Sequence, residues 1–340
     1  MSRFISLFIA GVFAFFAGYC LSSASEVPGA LSDERPALAN FNNLTVLAWA
    51  GLGGVEAHKV HYSTFDGNST AVGEIPGALT TSAPGLASTA QSVYLATTPP
   101  DADHSIDLYA SNDGATFDAI GPLCDAYRCA RTLAAPALAG QGAILYAAWS
   151  TPNGAIGYAT YINGVWSIAA QPIPNARTRP GTGPALTLYQ NRLYVAWLAP
   201  DEQSVAVTSA TLPLSSTSWS GQPIRITAQS HVAPALGVLT VASVGPHPAA
   251  QLTQALFLAW TTPDLTINFS RWDPQVAQWG TSPSPIPLPA GALTREAVAL
   301  NGFTYEMNQE CFATNDLAYV GVGPHHRHKI ELRQVTSGCP

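Results

Sequence analysis

Apolar and polar residues alternate with a period of two through much of this chain, in short runs bounded by glycine, proline or asparagine. Residues 60–64 and 156–161 alternate in this way, which is typical of β-strands with one buried face. The dipeptides Asp66-Gly67, Asp113-Gly114 and Asn163-Gly164 favour tight hairpin turns. The pattern therefore predicts an all-β protein made of short antiparallel strands.

The strands belong to a unit that recurs about every fifty residues. A Pro-Ala-Leu element precedes an apolar strand ending in Ala-Trp, and the copies begin at prolines spaced 48, 52, 48 and 50 residues apart: Pro36, Pro84, Pro136, Pro184 and Pro234. The copy at Pro84 is diverged, with Pro-Gly-Leu and no tryptophan, and the copy at Pro234 carries an insertion. A degenerate sixth copy covers residues 297–321. Six units with four strands each, A to D, predict a six-bladed β-propeller. Residues 171–174 and 222–225 are predicted to be D strands.

The two ends of the chain predict how the ring closes. The last unit stops after its third strand, near residue 332, so its outer edge would be open. Residues 26–31 nearly duplicate residues 74–79, the predicted D strand of blade 1. We therefore expect an N-terminal strand, at about residues 25–31, to complete the last blade.

Residues 1–24 read as a secretory signal peptide. Arg3 precedes an apolar stretch, and Ser22-Ser23-Ala24 offers small residues for cleavage near Ala24. The expected product is one domain, residues 25–340, that is secreted or periplasmic and has no membrane span after cleavage. Its formal net charge of −7 gives no electrostatic reason to bind nucleic acid.

Cleavage would leave four cysteines in an oxidising compartment. Proximity in sequence favours the pairs Cys124–Cys129 and Cys311–Cys339, which is one of three possible connectivities.

In propellers, the D–A and B–C connections share the face around the channel mouth, which we call the top face. Four predicted ligand-binding acids fall in B–C loops: Glu56, Asp103, Asp201 and Asp264. They could accept hydrogen bonds from sugar hydroxyls. Pro-Asp and Pro-Asn pairs in these loops are also ordinary turn chemistry, and the repeated tryptophans are interpreted as core residues.

The D–A loops bring basic residues to the same face. Candidate ligand residues there are Arg35, Arg131, Arg179 and Arg295, whose guanidinium groups could converge on a carboxylate. His58 and His104 in B–C loops are further candidates, and a 325–328 loop holds three more histidines. Metal binding by that loop is an alternative to a solvated loop. We predict no metal site and no cofactor.

Arg35-Pro36-Ala37-Leu38 followed by an apolar second strand resembles the first blade of sialidases, and residues 111–117 resemble the Asp-box turn of that family, one residue short. The resemblance implies a BNR-type six-bladed propeller with Arg35 as the family's first arginine. It identifies no acid aspartate. Tyr305-Glu306 would be its nucleophile pair, but these residues fall in the A–B connection on the opposite face. Strand C of blade 3, with Tyr158 and Trp166, also resembles repeats of propeller lectins.

These observations predict a secreted, lectin-like propeller that binds a glycan. A sialidase-like exo-glycosidase and an extracellular scaffold that binds a protein surface are the alternatives. An enzyme would have one asymmetric site on the channel axis, whereas a lectin would have several shallow sites between blades.

Overall fold

The computed structural model describes residues 19–21, 25–65, 70–169, 171–243, 251–280, 294–307, 310–322 and 328–338. These residues form six antiparallel sheets, five of four strands and one of five. The first strands of successive sheets contact one another around a closed ring. The chain is therefore a six-bladed β-propeller, as the repeat predicted.

The first three blades follow the predicted order A to D. Blade 1 contains β3 (Ala37–Phe41), β4 (Leu44–Ala50), β5 (Lys59–Phe65) and β6 (Thr70–Leu79), with a 3-10 turn at Gly54–Glu56. Blade 2 contains β7 (Gly85–Ser88), β8 (Val93–Thr97), β9 (Asp107–Ser111) and β10 (Asp118–Pro122). Blade 3 contains β11 (Ala137–Gln141), β12 (Ile144–Ser150), β13 (Ile156–Ile162) and β14 (Val165–Ile168).

The last three blades complete the ring. Blade 4 contains β15 (Ala185–Tyr189), β16 (Arg192–Leu198), β17 (Ser204–Thr211) and β18 (Ile224–Thr227). Blade 5 contains β19 (Ala235–Ser243), β20 (Gln251–Thr261), β21 (Ile267–Asp273) and β22 (Gln278–Trp279). Blade 6 contains β23 (Ala299–Met307), β24 (Glu310–Val320) and β25 (Lys329–Gly338), together with β1 (Tyr19–Leu21) and β2 (Ser25–Leu31) from the N-terminus.

Strand β2 closes the ring in the way the duplicated sequence predicted. It pairs antiparallel with β25, and its register shifts between Glu26 and Leu31. Strand β6 pairs with β5 through the same kind of irregularity, and each strand has one glycine with positive φ, Gly29 at 74° and Gly77 at 76°. The side chains of Val27 and Ala30 are buried against blades 6 and 1. Closure thus combines a strand ladder with an apolar seam.

Strand β1 lies inside the segment predicted to be a signal peptide. Its three residues, Tyr19–Leu21, pair with the far end of β25. Cleavage near Ala24 stays a prediction. Within the described residues, no helix is long and apolar enough to cross a membrane.

The repeat motif is explained by packing around the channel. Each Pro-Ala-Leu leucine from blade 1 to blade 5 packs into the cluster shared with the preceding blade. The repeated tryptophans are buried, as interpreted: Trp49, Trp149, Trp197 and Trp260. Glycine is required where A strands approach closely, because a Cβ on Gly140 would lie 1.9 Å from the Ser88 carbonyl oxygen of blade 2.

The D strand of blade 3 was predicted wrongly. It is Val165–Ile168, directly after the Asn163-Gly164 turn, and residues 171–174 are irregular. Two prolines there, Pro172 and Pro174, have no N–H group to donate to a ladder. In blade 4, β18 covers the second half of the predicted D strand, residues 224 and 225, and continues to residue 227.

One predicted disulfide is present, between Cys124 and Cys129. Cys339 lies outside the described residues, so the second pairing stays a prediction. His325 and His326 also lie outside them.

Candidate functional site

Six equivalent hydrogen bonds organise the top face. In each blade, a serine or threonine N–H at the start of the D–A loop donates to the carbonyl of one B–C loop residue, over 2.7 to 3.4 Å. The accepting residues all have positive φ: His58, His104, Gly154, Glu202, Leu265 and His328. Histidine tolerates this conformation better than most side chains. The three histidines therefore occupy a backbone position that every blade needs.

The same serine or threonine fixes the next residues of the D–A loop. In five blades the hydroxyl of this serine or threonine donates to the backbone carbonyl of the residue two positions later. The residues that accept these bonds are Glu34, Ser82, Ala134, Val232 and Glu296. Among these five blades, the accepting residue is acidic only in the loops that lead into blades 1 and 6, and these two blades are neighbours in the closed ring. One residue further, blade 1 has Arg35, where these other four blades have alanine.

Arg35 lies at the mouth of a central channel of about 390 Å³. The A strands line this channel with mostly apolar side chains, and Arg35 is the only charged residue among its described lining. The guanidinium is half-buried, and no hydrogen bond or ion pair reaches it from the described residues. Burial lowers the pKa of Arg35, and the nearby Glu34 opposes this. A half-buried cation without a partner is costly unless a ligand supplies one.

Glu34 precedes Arg35 directly, and the Glu296 carboxyl of the neighbouring D–A loop interacts with the charge of Glu34. Burial raises the pKa of Glu34, while Arg35 and the Ala83 N–H of blade 2 oppose the rise. Burial, followed by repulsion from Glu34 and Asp33, raises the pKa of Glu296 from 4.5 to about 7. No described residue pairs with the Glu296 carboxylate. The D–A loops of blades 1 and 6 therefore hold a cation with no described partner and two carboxyl groups whose pKa values are raised.

The other predicted top-face residues do not converge on this mouth. Most are paired locally: Glu56 lies 3.2 Å from His61, Asp103 lies 3.5 Å from Arg131, Arg179 lies 2.5 Å from Glu202, and Asp201 lies 3.3 Å from Arg225. Arg295 is exposed beside Glu296. Because these residues sit on different blades, the ring spreads their guanidinium groups apart instead of gathering them.

Turn chemistry explains several of the B–C loop acids. Asp264 accepts hydrogen bonds from the hydroxyls of Thr262 and Thr266, and Asp201 accepts one from the Gln203 N–H at 3.0 Å. These bonds agree with the turn interpretation. A ligand role for these residues stays a prediction. No group of three His, Cys, Asp or Glu side chains in the described part of the chain is arranged to hold a metal.

A second concavity, of about 430 Å³, lies between blades 3 and 4. We call it the inter-blade pocket. Tyr158 of blade 3 and Trp219 of blade 4 meet in it edge to face, with ring centroids 5.1 Å apart. The Trp219 indole N–H is buried without a hydrogen-bond partner among the described residues. The remaining lining is polar or proline-rich: Thr160, Ser167, Ala169, Gln171, Pro172, Pro174, Leu214, Ser215 and Ser216.

Sequence reasoning had found Arg35 but missed Glu34, Glu296 and the pocket. The two glutamates could have been found by superimposing the six D–A loops, since acids replace small or apolar residues at one repeat position. Tyr158 had been noticed only for its strand.

No protein-family model and no curated protein matches this sequence. Solved structures share its fold. The lectin of Aleuria aurantia, described as a six-bladed β-propeller with a novel fucose recognition mode, has a TM-score of 0.59 and 14% identity, over 90% of this chain and 95% of that chain. For AofleA of Arthrobotrys oligospora the TM-score is 0.57 at 11% identity, over 93% of this chain and 91% of that chain.

An α-L-arabinofuranosidase of Fusarium graminearum is similar to the same degree. Its TM-score is 0.54 at 14% identity, over 94% of this chain and 98% of that chain. At such identities the likeness shows the propeller fold, which lectins and a glycosidase share.

Proposed function

We propose that this chain is an extracellular carbohydrate-binding propeller whose primary site is the inter-blade pocket. The observation that carries the proposal is the lining of this pocket: two aromatic rings at its floor, surrounded by hydroxyl and amide groups and by no charged residue among those described. Aromatic surface combined with a few convergent polar groups is the usual chemistry of a site for a small polar ligand. The fucose-recognising lectins among the similar structures support the same function.

The proposal differs from a multivalent lectin. Aromatic side chains fill three other junctions, where Tyr62 meets Phe117, Tyr94 meets Tyr161, and Tyr194 meets Trp272. At the junction between blades 3 and 4, residues from the connection between β17 and β18 line an open pocket instead: Leu214, Ser215, Ser216 and Trp219. We therefore expect one principal binding site and a stoichiometry near one.

A glycan array followed by calorimetry tests this. The wild-type protein should bind a restricted set of glycans, and Ser167→Trp, which fills the pocket from β14, should weaken binding at least tenfold. Val165→Trp is the matched control, because Val165 lies two residues away on the same strand, is 68% exposed and is outside the pocket lining. Silence across the array would contradict carbohydrate binding and favour a protein-binding scaffold.

An exo-glycosidase of the sialidase-like kind is the second candidate, and the channel mouth is the observation that favours it. Glycoside hydrolysis needs two carboxyl groups that flank one bond. Glu34 and Glu296, whose charges interact across neighbouring D–A loops, are the candidate pair, and a carboxyl with a pKa of about 7 suits a general acid. The sialidase resemblance had pointed instead to Tyr305-Glu306, which lie in β23.

This candidate is tested with fluorogenic aryl glycosides, including a sialoside and an arabinofuranoside. Turnover that falls more than a hundredfold in Glu296→Gln, while array binding persists, would support a separate catalytic mouth. No turnover on the panel would rule the candidate out for these sugars and leave the pocket proposal intact.

A further inference from the structure

Blade 2 carries a feature that the repeat does not require. The connection from blade 2 to blade 3 lies within the longest interval between repeat prolines, 52 residues. It contains a small hairpin, residues 123–130. The Ala130 N–H donates to the Leu123 carbonyl at 2.9 Å, the Asp125 N–H donates to the Arg128 carbonyl at 2.9 Å, and the Cys124–Cys129 disulfide closes the turn. The hairpin is therefore covalently restrained at its base.

Asp125 fastens this hairpin to the neighbouring blade. Its carboxylate accepts from the N–H groups of Tyr127 at 2.8 Å, Arg128 at 2.9 Å and Ile168 at 3.2 Å. These backbone donors hold the pKa of Asp125 below its ordinary value. Since Ile168 ends β14 of blade 3, the hairpin is held against the strand that forms one wall of the inter-blade pocket.

Arg128 reaches that wall directly. Its Nη1 donates to the Ala169 carbonyl at 3.4 Å, and Ala169 lines the pocket. The Arg128 side chain is 42% exposed, and its Nε lies 3.7 Å from Asp125. A guanidinium has five N–H donors, so these two contacts leave most of them free for a ligand. No residue described as lining the pocket is charged, so Arg128 gives this edge its positive group.

We propose that the hairpin extends the inter-blade pocket and that Arg128 makes it prefer saccharides with an anionic substituent, a carboxylate or a sulfate, on the sugar beyond the one in the pocket. This inference rests on the proposed carbohydrate binding. A planar carboxylate, or two oxygens of a tetrahedral sulfate, can accept paired hydrogen bonds from a guanidinium, which a neutral hydroxymethyl group cannot match.

The size of the preference follows from exposure. A charge-assisted contact at a partly exposed site is worth much less than a buried one and weakens with salt. We therefore expect anionic glycans to bind about three- to tenfold more tightly than neutral ones at low ionic strength, with a smaller ratio in 0.5 M salt.

The test compares array glycans in pairs that differ only at one position, with separate arms for uronate against neutral sugar and sulfated against unsulfated sugar. For the wild-type protein, the ratio of the affinity for the anionic glycan to that for its neutral partner should exceed about three in at least one arm. In Arg128→Ala the ratio of anionic to neutral affinity should fall to about one, because the anionic glycan loses more affinity than the neutral one. Arg271→Ala, which removes one exposed positive charge from β21 of blade 5, is the matched control and should keep the wild-type ratio.

Four results would overturn the inference. A wild-type ratio near one, or an unchanged ratio in Arg128→Ala, would refute the role of Arg128 while Ser167→Trp still shows that the pocket binds. Binding that ignores Ser167→Trp, or no binding at all, would refute the pocket as the site and this inference with it. Near-ultraviolet circular dichroism of each variant checks that the fold is retained.

Discussion

The Glu296 carboxyl at the channel mouth is expected to reduce the stability of the folded protein whenever it is ionised. Its pKa rises from 4.5 to about 7 on folding, chiefly through burial. A shift of that size corresponds to about 3 kcal/mol between the two protonation states. Because the side chain is only partly buried, solvent screening reduces the effect, and we expect about 1–2 kcal/mol.

The direction of the pH dependence follows from proton linkage. The folded state binds the Glu296 proton more tightly than the unfolded state does, so this contribution is fully present below pH 4.5 and is lost as pH rises through about 7. Glutamine is neutral throughout. We therefore expect Glu296→Gln to change the free energy of unfolding little at pH 4.5 and to stabilise the protein by about 1–2 kcal/mol at pH 8.5.

Urea unfolding of both proteins at the two pH values measures this, since the difference between wild type and variant cancels most other titrating groups. Asp118→Asn is the control, because it removes one negative charge from an exposed position on β10. The same effect of Glu296→Gln at both pH values, or a stabilisation of similar size in Asp118→Asn, would refute the assignment of a buried, repelled carboxyl.

Two further variants test the ring itself. Gly140→Ala should lower the free energy of unfolding by at least about 2 kcal/mol, because the new Cβ would lie 1.9 Å from the Ser88 carbonyl oxygen. Gly221→Ala, which has open space around it, should change the free energy of unfolding little. Equal urea midpoints for the two variants would contradict the close approach of these A strands. Val27→Asp should cost about 3 kcal/mol by placing a charge in the closing seam, whereas Leu31→Asp on the same strand, 43% exposed, should cost far less. Similar losses in both would mean that β2 does not close the ring through its buried face.

The fold could be predicted because its information is repeated along the chain. Residues 26–31 and 74–79 match almost letter for letter, and both segments adopt the same irregular strand, with Lys329 near Glu26 and Lys59 near Glu74. The spacing of prolines marked five of the six blades. The D strand of blade 3 was mistaken because residues 171–174 carry the same letters, Gln-Pro-Ile, as the D region of blade 4.

The sites could be predicted only in part. Arg35 stood out by its residue type, but the pairing of Asp103 with Arg131 or of Arg179 with Glu202 depends on distances that no loop-by-loop reading supplies. The inter-blade pocket joins residues 158–174 to residues 214–219, which lie on different blades. A gap between two packed blades is an outcome of packing and leaves no local sequence signal.

Residues that differ from the repeat are of two kinds: those whose polar groups find partners within the protein, and those whose polar groups do not. On the side that faces blade 5, blade 6 replaces the repeated tryptophan with Tyr319, whose hydroxyl donates to Glu331 and accepts from Arg333 at 2.8 Å, all three being buried. This network is internally satisfied, so its role is structural. Among the described residues, Arg35 and Glu296 depart from the repeat without acquiring a hydrogen-bond or ion-pair partner, and a ligand on the top face could remove that cost. A charged side chain that breaks the repeat and has no hydrogen-bond or ion-pair partner among the described residues is therefore a better indicator of a binding site in this propeller than charge or residue type alone.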